Sequence, residues 1–273
     1  MEATGVYSER VALPLQTYPE TQVSINNAAQ IHWFAKAMFK RSKSDPIDAQ
    51  VILAFAQSQK PRPWQAESPA LRALAQLVEQ LRQLQNTRRD WLNRRHTNKQ
   101  RLSVPSAVTQ TTRSLLESLE AQMRQVEKEI KHFCDTTTEL KQRIDLLQTI
   151  KGVGQVTAVA VLAYGKSALW QRSARQLVAH AGLAPSPQQS GTSLHASGHL
   201  AKEGNADLRR SLYMATLVAC THNPVIRPFY QRLLFAGKPK KVALTASMHK
   251  LFVIMRAILI SQQPFNHQKA ILT

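Results

Sequence analysis

The sequence predicts a composite chain, α/β at its start and all-α thereafter, and three patterns carry that prediction. In "TQVSINN", Val23 and Ile25 alternate with polar neighbours as a half-buried strand does, while Ile47, Val51, Ala54 and Phe55 recur at helical spacing. Leu116, Leu119, Met123, Val126, Ile130, Phe133, Thr137, Leu140, Ile144 and Leu147 then repeat at alternating steps of three and four, the period of a coiled coil. From residue 148 onward, short helical patterns are separated by glycines.

Residues 1–67 form the α/β segment. It begins abruptly: Met1 already stands beside a candidate site, whereas a sheet domain of this kind carries more strand residues before its first helix, so an incomplete domain is expected. The proline-rich stretch "KPRPWQAESPA" closes it, with Ser68 placed to cap a helix and Pro69 in that helix's first turn, where its missing N–H does no harm.

Residues 68–147 read as two long helices. Leu71, Leu74, Val78 and Leu81 hold the first to one face before "RRDWLNRRHTNKQR" turns basic, and a short loop around "SVPSAVTQ" leads into the seam. An antiparallel coiled-coil hairpin that pairs with another subunit is expected, a bundle packed within one chain being the alternative. In residues 148–273 the long polar segment "APSPQQSGTSLHASGHLAKEGN" reads as a loop, and a loop of that length is functional or disordered. The most apolar stretch, "ALTASMHKLFVIMRAILI", contains His249, Lys250 and Arg256 and reads as a buried helix rather than a membrane span.

Lys and Arg number 36 against 17 Asp and Glu, a net charge of +19, which points to a polyanionic partner, nucleic acid first. The basic residues are spread along the chain rather than gathered on one amphipathic helix, which argues against a membrane surface. Cys134 and Cys220 lack the spacing of a zinc site or a disulfide framework and suit a reducing cytoplasm.

Three motifs carry chemistry. "TIKGVGQVTAVAVLAYG" has the pattern of a helix-hairpin-helix. Lys151, Gly152 and Gly154 would form a tight turn aiming N–H groups at a phosphate, gripping DNA without reading bases. A plain glycine turn between packed helices is the simpler reading. "DPID" starts a helix, with Asp45 as N-cap, Pro46 at N1 and Asp48 at N3; the same two carboxylates, one turn apart, also suit a hard cation such as Mg²⁺. Glu2, before a Thr-Gly turn, offers a third carboxylate. Lys202, just before a Gly-Asn helix entry, and Arg209 and Arg210, after it, read as phosphate clamps or as a solvated face, and His195 and His199 read as polar loop histidines.

In order, "MEATGVY", "KSDPIDAQVILAFA", "IKGVGQVTAVAVLA", "LVAHAGLAPSPQQSG" and "LAKEGNADLRRSLYMA" resemble transposases of the insertion sequence 110 family, including its 1111 subgroup, over nearly the whole chain. The resemblance implies a RuvC-like nuclease domain with an Asp-Glu-Asp-Asp Mg²⁺ site, a coiled-coil spacer and a C-terminal helical domain bearing a nucleophilic serine. Glu2, Asp45 and Asp48 match three of the four acids, the first aspartate having no counterpart, and Ser190 in "QQSG" matches the serine. It also implies a structured noncoding guide RNA beside DNA, while homo-oligomers through the coiled coil are expected from the seam itself. The alternatives are a noncatalytic nucleic-acid-binding remnant and a junction-resolving nuclease that uses carboxylates alone.

Overall fold

The computed structural model of the protein describes residues 1–38, 44–190, 194–200 and 203–270. These fall into two compact units, Met1–Glu67 and Ser68–Thr273.

The first unit is built on three helices, α1 (Val6–Leu15), α2 (Ala28–Ala37) and α3 (Asp45–Gln59). Gly5, in the left-handed region at φ 66°, turns the chain into α1, and the Asn27 side chain caps α2 by accepting from the Ala29 N–H. Val51 and Phe55 bury the inner face of α3, where Phe55 meets Phe34 of α2 edge to face at 5.3 Å. The expected sheet is reduced, among the described residues of this unit, to one parallel bridge between Glu2 and Asn26. In it the Ala3 N–H donates to the Asn26 carbonyl at 2.8 Å and the Asn26 N–H to the Met1 carbonyl at 3.0 Å. Val23 is buried, as the alternation requires, yet among the described residues its segment finds no further strand to pair with.

The second unit opens with α4 (Pro69–Lys99), capped by Ser68, whose hydroxyl accepts from the Leu71 N–H. A short loop turns it into α5 (Ser106–Thr136), which runs back along it as an antiparallel hairpin. The seam of alternating steps is present, but it is divided. Thr137, its one polar member, is extended at φ −92° and ψ 103°; it ends α5 and begins α6 (Thr138–Gln148). The seam also faces its own chain. Ile130 joins Leu71 and Leu74 of α4 in one apolar core with Leu140, Ile144 and Leu147 of α6, and Val126 packs against that core. Within the unit, then, this part of the seam packs against its own chain.

Further helices join this core, first α7 (Gln155–Gly165), α8 (Ala168–Gln171), α9 (Ala174–His180) and, later, α10 (Ala206–His222). Between α9 and α10 the long polar segment is a two-stranded antiparallel hairpin, β1 (Pro185–Ser190) and β2 (Leu194–Leu200), with a bulge between Ser186 and Gln188. Over its described residues 185–190 and 194–200, the expected loop is therefore strand. After α10 come α11 (Ile226–Phe235), α12 (Lys240–Ser261) and α13 (His267–Ala270). α12 is long and apolar enough to cross a membrane, but half of its most apolar window is buried, and Leu251, Phe252 and Met255 have no exposed surface. It is the central helix of this core, and burying a side chain such as Phe252 contributes about 1.5–3 kcal/mol.

Candidate functional site

Asp45 and Asp48 occupy the first turn of α3, one register step later than the sequence pattern suggested. The N-cap is Ser44, with extended backbone, so Asp45 is the first helical residue and Pro46 the second. Both aspartates are exposed, and among the described residues neither carboxylate caps a backbone N–H or pairs with a basic side chain. Their negative charges sit at the favourable end of the helix dipole. Capping therefore does not occupy these side chains. Two carboxylates three residues apart on a helix fit a hard cation as two of its oxygen ligands. Glu2 does not complete the set: among the described residues no three His, Cys, Asp or Glu side chains come close enough to hold a metal ion.

The glycine motif forms a tight turn between α6 and α7. Gly152, at φ 103°, permits the Val153 N–H to donate to the Ile150 carbonyl at 2.9 Å. It also lies against α10, where a Cβ would stand 2.8 Å from the Ala219 nitrogen. Gly154 is different: it is the N-cap of α7, no side chain caps that end, and a Cβ there would meet nothing within 4 Å. Gly152 serves packing, while Gly154 and the exposed Lys151 face open space.

Asn223, fully buried, holds this turn from behind. Its Nδ2 donates to the Lys151 carbonyl at 3.0 Å, and its Oδ1 accepts from the N–H groups of Val225 and Ile226 at the start of α11. Truncating it would leave those buried groups without partners, at about 1–3 kcal/mol each. No local sequence pattern marks Asn223, because its turn partner is 72 residues away.

Ser190 is the last residue of β1 and pairs with Leu194, so it stands at the end of the strand where the hairpin turns. His195 and His199 lie on β2, opposite Gln189 and Ser186. The two feet of the hairpin are braced. Gly204, at φ 142°, approaches Gly182 so closely that a Cβ would stand 2.5 Å from the Gly182 nitrogen, and the Asn205 N–H donates to the His180 carbonyl at 2.8 Å. Asn205 then caps α10, accepting from Asp207 and Leu208.

The basic residues expected beside the serine separate into distinct roles. Arg209 turns inward and donates to the Ala181 carbonyl at 3.2 Å, bracing the first foot of the hairpin. Arg210 is mostly exposed and donates to Asp207 at 2.7 Å. Lys202 lies outside the described residues. Asp207 also lies 3.4 Å from Arg82 of α4, linking the helical hairpin to the first turn of α10. That pair edges a crevice of about 500 Å³ between α4, α5, α7 and α10, which Tyr164 also lines. Burial first, then the Asp207 and Glu79 charges, push the Tyr164 phenol up to about 12. It stays protonated at neutral pH. Arg82, Tyr164 and Asp207 carry no local signal in the sequence, since they meet only through the packing of three helices.

Comparison with known proteins matches both ends of the chain. The profile of the Transposase IS116/IS110/IS902 family covers residues 144–231, and a transposase profile of the IS110 DEDD type covers residues 1–102. A pilin gene-inverting protein of Moraxella bovis is 32% identical over 268 residues, 97% of this chain and 81% of the relative. Its namesake in Moraxella lacunata is 32% identical over 267 residues, with the same coverage. An uncharacterized 43.6 kDa protein of insertion element IS110 in Streptomyces coelicolor is 30% identical over 114 residues, 42% of this chain and 28% of the relative.

Proposed function

Because the chain belongs to the IS110 family of transposases, we propose that it cuts and rejoins DNA through a covalent link to Ser190. The observation that carries this reading is the alignment of 97% of the chain with a protein named for inverting a pilin gene, since inversion requires strands to be both broken and resealed. The reading rests further on the hairpin, whose braced feet fix the backbone that bears the serine.

In the step proposed, the Ser190 hydroxyl oxygen attacks a DNA phosphorus and forms a P–O bond. The bond from that phosphorus to a sugar oxygen breaks, and the released sugar oxygen takes up a proton as the serine loses one. The phosphodiester energy is kept in the phosphoserine, so a second sugar hydroxyl can reverse the exchange and join a new strand. Asp45 and Asp48 offer two ligands toward a divalent cation, expected to be Mg²⁺, which when bound supplies charge that steadies a phosphate. Lys151 and the open N-terminus of α7 at Gly154, with Arg210, are proposed to position the DNA backbone. A structured guide RNA is proposed as a second polyanionic partner, for which the charge of +19 leaves ample capacity. Homo-oligomers are proposed through the helical hairpin, where α4 and α5 leave part of their surface exposed.

A second reading, a protein that binds nucleic acid without cutting it, draws support from the carboxylates: Glu2 is not gathered with Asp45 and Asp48. One experiment separates the two. The protein is incubated with supercoiled DNA and Mg²⁺, and covalent protein–DNA adducts are trapped by denaturation. Adducts that vanish in Ser190→Ala, with DNA binding retained, are the expected result. Adducts at full yield in Ser190→Ala would overturn the nucleophile, and DNA binding by the wild type without cleavage or adducts would establish the second reading.

A further inference from the structure

The α4–α5 hairpin is electrically lopsided. Between residues 86 and 113, the part around its apex, there are seven Lys and Arg residues and one acid, Asp90. Along the returning stretch from 114 to 147 there are seven acids and five Lys and Arg. A solvated helix face gains nothing from that segregation. Concentrating like charges at one end costs self-repulsion unless a polyanion relieves it.

Three of the apex cations also make no ion pair among the described residues. Arg88 is paired with Glu120 and Arg113 with Glu117, but Arg95, Lys99 and Arg101 are exposed and make no ion pair among the described residues. These three line an open concavity of about 880 Å³ at the apex, together with polar side chains such as Asn98, Thr109 and Gln110 and the apolar Leu102 and Val104. Cations interspersed with hydroxyl and amide groups match a row of phosphates. The aromatic equipment is wrong for unpaired bases: Trp91, which would have to stack on them, is half-buried and covered by Arg94 at 4.8 Å from its ring centre. Leu102, fully exposed at the turn, adds an apolar tip of the kind that minor-groove binders wedge between base steps of a duplex.

We propose that the apex of the α4–α5 hairpin is a docking surface for the backbone of duplex DNA, with Arg95, Lys99 and Arg101 on its phosphates. The surface lies in a different part of the unit from the glycine turn and the serine hairpin, so it gives the protein a second hold on DNA away from the reacting strand. The inference rests on the reading that DNA is the partner, and the test keeps the two apart.

The full chain is titrated against a 40-base-pair DNA duplex by fluorescence anisotropy at several KCl concentrations, and the slope of log K against log salt is compared between variants. Releasing three phosphate contacts lowers the magnitude of that slope by about 2.7. The triple change Arg95→Gln, Lys99→Gln and Arg101→Gln is expected to do so with the melting temperature unchanged. Lys128→Gln, Lys131→Gln and Lys141→Gln remove the same charge from the stem of α5 and from α6, and are expected to leave the slope nearly as it was. A wild-type slope in the apex variant overturns the docking surface, as does an equal fall in both variants, which would mark a net-charge effect. A loss confined to an RNA hairpin of equal length also overturns it. If the wild type binds no duplex at all, the DNA reading itself fails, and this surface with it.

Discussion

Gly204 and Gly182 meet backbone to backbone, near enough that a single added carbon on Gly204 would stand 2.5 Å from the Gly182 nitrogen. The contact closes the base of the β-hairpin, and Gly204 holds φ 142°, which side-chain-bearing residues avoid. Gly204→Ala therefore combines a clash against backbone with strain, together about 3 kcal/mol. In a unit of this size that lowers the melting temperature by about 6–12 °C. Calorimetry that finds an unchanged transition would show that the two strands of chain do not approach as described.

Ile130 gives a sharp test of where the helical seam points. It is buried against α4 and α6 of its own chain, so Ile130→Lys places an unpaired charge in the core, at about 3 kcal/mol or more. The expected result is a lower melting temperature at unchanged mass by light scattering. A smaller mass with normal melting would place Ile130 at a contact between subunits instead.

Much of this was legible from the sequence, and the rest was not for definite reasons. Helix starts such as Ser68-Pro69, the three-four seam and the Gly152 turn are local patterns, and local patterns survive folding. The break at Thr137 left a trace as the seam's one polar residue. In the sequence the β-hairpin reads as loop because "PSPQQS" carries two prolines and no large apolar residue, and "LHASGHL" alternates only through the small Ala196 and Gly198 between its end leucines. Val23 and Ile25 alternate as a strand should, but a strand becomes a sheet only through a partner, which is a non-local matter. The inward turn of Arg209 had no local signature either: a basic residue after a helix entry looks the same whether it faces phosphate or a carbonyl.

Asp45 and Asp48 should prove dispensable for folding. Neither caps the helix, so Asp45→Asn with Asp48→Asn loses only the dipole interaction, a few tenths to about 1 kcal/mol for each. If the pair supplies metal ligands, the double variant retains its fold by circular dichroism and loses Mg²⁺-dependent strand cleavage. Full cleavage by the double variant would remove them from the chemistry.

His180 makes the second unit sensitive to mild acid. Burial, then the nearby charges of Arg172 and Lys166, hold its imidazole below the ordinary value, while Nε2 lies 3.4 Å from the Tyr164 carbonyl oxygen. The unfolded chain takes up this proton near pH 6.5, and the folded chain only at lower pH. Stability is therefore greatest above that range, falls as pH drops through it, and levels off below the folded value. Burial moves His249 the same way, so His180→Gln should remove part of the fall in melting temperature between pH 7.5 and 5.5. An identical fall in wild type and variant would show that His180 contributes none of it.

The glycine turn is tied down twice from afar: Asn223 holds the Lys151 carbonyl across 72 residues, and the Phe265 N–H donates to the Thr149 hydroxyl across 116. Contacts of such separation form only after the intervening chain has been ordered. As the polypeptide leaves the ribosome, α6 and α7 emerge with their turn between them but with neither tether yet made. The turn acquires its final shape when α10 and the segment after α12 have docked, which sets it among the last parts of the molecule to mature.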